Sequence, residues 1–208
     1  MKVINDQPIY RRRWFVIVAS IAAVLVVAWL LFVRPINNMT NAEEDVKKQL
    51  SNIQTSLQRR GDMIPQLAEA VKGSQGQESR VYGQIADARR QYDNSKGQLQ
   101  GNASLDEKVA ALQTQQKALN VMVNAVHENY PNLGSNDQMQ RFMVEVEGSE
   151  NRIAMDRREY NNKVTEYNKM VKSFPNSLLA GATGHHSLQG FTADDKSQTA
   201  PNVSFSQK

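Results

Sequence analysis

Six side chains recur at every seventh position in the C-terminal half of the chain: Met139, Val146, Ile153, Tyr160, Tyr167 and Phe174. On an α-helix, residues seven apart return to one face two turns on. A second row stands four residues further along: Met143, Glu150, Arg157, Val164 and Val171. The two rows describe one long helix, from about Asn136 to Phe174, with a wide seam that must be covered. Two members of the second row are charged. Burying a charge is costly unless it is paired. Glu150 and Arg157 therefore belong either to an ionic cluster among the helices of one chain or to a polar seam facing a second protomer; the register favours the cluster. Tyr160 and Tyr167 need a partner for each hydroxyl if they are inside. Asn161 and Asn168, one position round the helix, are placed to bridge to a neighbouring helix or to cap a loop.

Three more segments carry helical stripes. Val46, Leu50, Ile53 and Leu57 form the first. It meets Gly61, Asp62 and Pro65. Gly61 can sit past a helix end, Asp62 can act as an N-cap, and Pro65 is tolerated in a first turn. This reads as a turn, with a kinked continuous helix as the rival, because Leu50, Leu57, Ile64 and Val71 keep one register through it. The second stripe is Ile64, Leu67, Val71, Val81, Ile85, Ala88, Tyr92 and Leu99, weakened by Gly73, Gly76 and Gly83. The third is Leu105, Val109, Leu112, Leu119, Val123, Val126 and Tyr130, interrupted by Gln116. Ser104 and Glu107 stand at capping-box spacing before it. Pro131 ends it.

The segment Trp14–Val33, WFVIVASIAAVLVVAWLLFV, holds twenty residues without a charge or a proline. As a helix it spans about 30 Å, the thickness of a bilayer's hydrocarbon core. It ends in Val33-Arg34-Pro35, which is no signal-peptidase site. It reads as an uncleaved membrane anchor with Trp14 and Trp29 near the interfaces.

The net charge of +4 comes mostly from the N-terminus. Residues 1–13 carry four basic groups and one acidic group, whereas residues 34–208 carry 21 basic and 20 acidic groups. The excess stands against the anchor and not on the domain, so a nucleic-acid partner is not expected. Lys and Arg beside an anchor favour the cytoplasmic side. The asymmetry predicts a cytoplasmic N-terminus and a domain outside the cytoplasm. With no cysteine, disulfides, thiolate metal sites and cysteine nucleophiles are excluded. His127 is expected to face solvent. His185-His186 lack carboxylates at metal-ligand spacing. No nucleophile elbow, phosphate loop or dinucleotide fingerprint occurs. No catalytic residue, metal or cofactor is therefore expected.

Three ordered motifs carry a family resemblance. They are Arg59-Arg60-Gly61-Asp62-Met63-Ile64-Pro65 with Val71-Lys72-Gly73, then Glu128-Asn129-Tyr130-Pro131-Asn132-Leu133, then Tyr160-Asn161, Tyr167-Asn168 and Phe174-Pro175. Together they resemble the LemA family of bacterial membrane-anchored proteins. The residues that the resemblance singles out are Arg60, Asp62, Pro65, Tyr130, Pro131, Tyr160, Asn161, Tyr167, Asn168, Phe174 and Pro175, beside Glu150 and Arg157 from the register. After Gly184, where such proteins tend to carry an apolar or aromatic stretch, this chain has His185-His186-Ser187.

The expected architecture is all-α: a basic tail at 1–13, a single transmembrane helix at 14–33, an antiparallel, up-and-down four-helix bundle at 34–175, and a mostly irregular C-terminal tail at 176–208. The expected role is a non-catalytic scaffold or adaptor in the bacterial inner membrane, with the lipid bilayer and a protein as partners. The resemblance implies envelope roles and genes near membrane protease components, which makes a protease system a candidate partner. The alternative is self-assembly into a membrane-bound homo-oligomeric ring or lattice.

Overall fold

The computed structural model describes residues 9–65, 79–99, 101–129 and 137–192. Among these residues every regular element is helical. The helices are α1 (Ile9–Ala28), α2 (Arg34–Asp62), α3 (Ser79–Gln98), α4 (Leu105–Asn129), α5 (Asp137–Lys172) and α6 (Asn176–Thr183), with a π-helical turn at Trp29–Val33 between α1 and α2. Two compact units divide the chain: Met1–Glu44 with Glu166–Ser187, and Asp45–Thr165 with Leu188–Lys208.

In the first unit the apolar run is helical throughout, and its side chains from Trp14 to Val27 are all exposed. The helix does not break at Pro35 but continues unbroken from Arg13 to Asp62. A proline within a helix lacks the N–H that would bond four residues back, and its ring meets that carbonyl. The wider turn just before it, where the Arg34 N–H reaches the Trp29 carbonyl, makes room. One helix is thus long and apolar enough to cross a membrane.

The same unit holds the end of α5, a turn with a cis Phe174-Pro175 bond, and α6. Gly184, at φ 79°, closes α6, and the His185 N–H bonds the Ala180 carbonyl at 2.9 Å. That left-handed C-terminal residue suits glycine, which has no Cβ to clash. Part of the segment expected to be irregular is therefore ordered helix. Residues 193–208 lie outside the described residues.

Phe174 departs from its expected place in the seam. It is 81% exposed, whereas Tyr160 and Tyr167 are buried. Helix α5 ends at Lys172, so the seven-residue register no longer applies two residues later.

In the second unit the stripes become core. Val46, Leu50, Ile53 and Leu57 of α2, Leu112, Leu119 and Met122 of α4, and Val146, Ile153, Tyr160 and Val164 of α5 are all buried. Helices α3 and α4 pack along each other, α3 burying Val81 and Ala88. The predicted capping box opens α4: the Ser104 N–H donates to Glu107 Oε2 at 2.7 Å, and the Glu107 N–H donates to Ser104 Oγ at 3.3 Å.

Gly61 lies inside α2, not past its end. A Cβ there would stand 2.7 Å from Cζ of Tyr92. The position needs glycine for a close approach, while the helix ends at exposed Asp62. A turn follows, in which the Met63 N–H bonds the Arg60 carbonyl at 3.2 Å. Ile64 and exposed Pro65 are helical again, so Asp62 and Ile64 flank a one-residue interruption at Met63.

Candidate functional site

The second unit contains a chain of polar side chains joining α2, α4 and α5. Arg60, only 3% exposed, starts it. Its Nη1 donates to Asn120 Oδ1 at 2.8 Å and forms an ion pair with Glu150. Glu150 Oε1 accepts a long bond from Gln116 Nε2 at 3.5 Å. Gln116 Oε1 accepts from Arg157 Nη1 at 3.0 Å. Burial holds the Arg60 guanidinium below its ordinary pKa, and Glu150 works against that shift. The carboxylate thus offsets part of the cost of burying the cation. Beside this chain, Ser56 Oγ donates to Asp156 Oδ2 at 2.6 Å, and Gln49 Nε2 donates to the Asp156 carbonyl at 3.2 Å.

Residues 188–192, without regular secondary structure, form a strap against α5. Leu188 and Phe191 are buried. The Tyr160 hydroxyl donates to the Gln189 carbonyl at 3.2 Å. Asn161 grips Phe191 at both ends of its backbone: Nδ2 donates to the carbonyl at 3.0 Å, and Oδ1 accepts from the N–H at 2.8 Å. Gly190 fits beneath that amide, where a Cβ would stand 2.9 Å from Asn161 Oδ1. Arg157 Nη2 donates to the Thr192 carbonyl at 2.6 Å, and its guanidinium lies 5.2 Å over the Phe191 ring. The Phe191 ring meets Tyr160 edge-on at 5.2 Å. From α4, Asp106 Oδ1 accepts from the Gln189 N–H at 3.0 Å. Burial first, and Asp106 second, push the Tyr160 hydroxyl far above its ordinary pKa.

The first unit holds a smaller cluster around His185. Its Nδ1 lies 3.0 Å from Glu43 Oε2 and 3.5 Å from the Tyr167 hydroxyl. Its Nε2 lies 3.5 Å from Thr40 Oγ1. Asn168 is half-buried, and Pro175 precedes the first residue of α6.

The candidates separate accordingly. Arg60, Glu150 and Arg157 join one network, with Gln116 between the last two. Tyr160, Asn161 and Arg157 hold the strap. Tyr167 belongs to the His185 cluster. Asp62, Pro65 and Phe174 are exposed and join none of these. Tyr130 and Pro131 lie outside the described residues. His127 is exposed, as its register suggests.

Sequence reasoning missed Asn120, Gln116 and the strap. The signal for Gln116 was present as the one polar residue in an apolar stripe. The strap left only Gly190-Phe191, a small residue followed by an aromatic one, with no periodicity to reveal it. No group of three or more His, Cys, Asp or Glu side chains fit to hold a metal occurs among the described residues.

A family model described as the LemA family matches residues 49–205, which include α3, α4, α5, α6 and the strap. The chain belongs to the LemA family. It matches none of the curated proteins with which it was compared.

Proposed function

We propose that this LemA family member is a non-catalytic, membrane-anchored scaffold or adaptor of the bacterial cell envelope, acting through protein–protein contacts. One observation carries the reading. The charged and amide side chains best placed for chemistry turn inward and hold helices and strap together: Arg60 on Glu150, Arg157 on Gln116, Asn161 on Phe191. Groups fixed in this way build a stiff body and offer no nucleophile and base to a substrate.

The exposed helix at 14–33 serves as a single transmembrane anchor in the inner membrane. The basic cluster at Arg11–Arg13 sets the N-terminus in the cytoplasm. The packed helices after it form an antiparallel four-helix bundle, up-and-down in topology, outside the cytoplasm. A membrane protease system is the partner class to test first.

Self-assembly is the second reading. It is favoured by Val144 and Met155, 70% and 68% exposed and eleven residues apart on α5, a spacing that returns to nearly the same face. The two side chains present apolar area on that one face.

Crosslinking in native membranes, followed by purification of the full chain, tests the scaffold. Capture of a defined heterologous partner supports it. Recovery of a large assembly of this chain alone would replace it with the lattice. A cysteine at Ser197 tests the orientation: labelling in whole cells by a reagent that cannot cross the inner membrane is expected. Labelling only after lysis of that membrane would reverse it.

A further inference from the structure

We infer that the turn between α5 and α6 is a second membrane contact, seated on the bilayer surface through Phe174 and Leu178. The inference rests on the reading of residues 14–33 as an anchor. Both side chains are among the most exposed large apolar groups outside the anchor, at 81% and 71%. Scattered apolar residues on a surface are ordinary, and two alone decide nothing. Their place does. Residues Glu166–Ser187 form one compact unit with Met1–Glu44, the part of the chain that carries the anchor.

Within that unit the end of α5, the turn and α6 form a hairpin. Its base is closed where His185 meets Tyr167, and that base rests on Thr40 and Glu43 of α2. Glu43 lies ten residues beyond Val33, or about 15 Å along a helix. Phe174 lies seven residues beyond Tyr167, which carries the tip about 10 Å from the base. Because the hairpin groups with the residues before Asp45, its tip follows α2 back toward Val33. This sets Phe174 and Leu178 at about the level where the apolar run ends.

The surrounding chemistry fits a lipid surface. Lys169 and Lys172 are exposed in the last turn of α5, just before the tip. Apolar side chains flanked by lysines suit the boundary between acyl chains and anionic headgroups. Long basic side chains can keep their charge in the headgroup layer while their stems lie along apolar surface. The occupant is therefore the bilayer that holds the anchor.

The chain has no cysteine, so a single one can report its surroundings. The full-length protein would carry an environment-sensitive fluorophore at Ser177→Cys, next to the tip, or at Leu25→Cys in the apolar run. Each would be reconstituted in vesicles of phosphatidylcholine and phosphatidylglycerol, with or without lipid bearing a quencher near the headgroup or along the acyl chain. Loss of fluorescence is expected at 177 with the shallow quencher and at 25 with the deep one. The loss at 177 should disappear when Phe174→Asp and Leu178→Asp are combined, two changes at exposed sites, while that at 25 persists. A loss at 177 that survives the double substitution would overturn the role of these side chains. Quenching at 25 without quenching at 177 would overturn the contact and leave the anchor standing, as would crosslinking of position 177 to a second copy. No quenching at either site would overturn the anchor and the contact together.

Discussion

Asn161 holds Phe191 by both backbone groups, its Nδ2 donating to the carbonyl at 3.0 Å and its Oδ1 accepting from the N–H at 2.8 Å. A side-chain amide here does what a neighbouring β-strand would do, satisfying a donor and an acceptor that helices cannot reach. The pairing needs one donor and one acceptor in a fixed plane, which a side-chain amide supplies.

Asn161→Ala should therefore destabilise the protein by about 1–3 kcal/mol, the range for leaving partly buried polar groups unpaired. Asn161→Asp should cost at least as much, since a carboxylate cannot donate to the Phe191 carbonyl and would face it oxygen to oxygen. Denaturant unfolding gives the first quantity. Limited proteolysis near residues 188–192 should accelerate in both variants. Unchanged proteolysis would mean that Leu188 and Phe191 hold the strap without the amide.

Arg60 and Glu150 make a second pairing that can be dissected. Arg60→Met leaves the Glu150 carboxylate without its cation, and Glu150→Leu leaves a guanidinium that is 3% exposed. Breaking one side of a buried pair typically costs about 3–5 kcal/mol, and replacing both sides can be nearly neutral. The Glu150 side chain is 39% exposed, so Arg60→Met should be the milder single change. The double variant should be more stable than the sum of the two losses predicts. Additive losses would mean that Asn120, not Glu150, is the partner that matters to Arg60.

The capping box at α4 gives a pH dependence. Hydrogen bonds from the Ser104 backbone N–H, and next from its hydroxyl, hold the Glu107 carboxyl below its ordinary pKa. A lowered folded-state pKa means that the contribution is full above the ordinary glutamate range. It is lost as pH falls through the lowered value. Glu107→Gln keeps an acceptor for the Ser104 N–H but does not titrate. The parent should lose stability on acidification more steeply than this variant. Parallel stability curves would show that the carboxylate charge adds nothing to the cap.

What was legible in the sequence follows the range of the interaction concerned. Helices are local, and the stripes of α2, α4 and α5 are written in their own spacing, as Val46, Leu50, Ile53 and Leu57 show by being buried together. The capping box is a four-residue pattern and was equally readable. The partners of Arg60 lie 60 and 90 positions away on other helices, and spacing along one helix says nothing of them. The strap was invisible for a related reason. Its order comes from Asn161 and Tyr160, about thirty residues upstream, and not from any pattern of its own. Gly61 was misread because a helix-ending glycine and a glycine under a tyrosine ring look alike in one dimension.

Tyr167 and Phe174 separate the register from its limit. They stand one heptad apart, yet one is 1% and the other 81% exposed. Tyr167→Ala should cost about 3–5 kcal/mol, the usual range for truncating a buried aromatic side chain. Phe174→Ala should change stability by no more than about 0.5 kcal/mol, as exposed sites do. Tyr167→Phe removes only the hydroxyl near His185 and should cost on the order of 1 kcal/mol. Thermal unfolding of the three variants in detergent measures all of this. A large loss for Phe174→Ala would return that residue to the seam and place the end of α5 beyond Lys172. A parent-like melting temperature for Tyr167→Ala, with loss of a co-purifying protein, would make that face a binding surface.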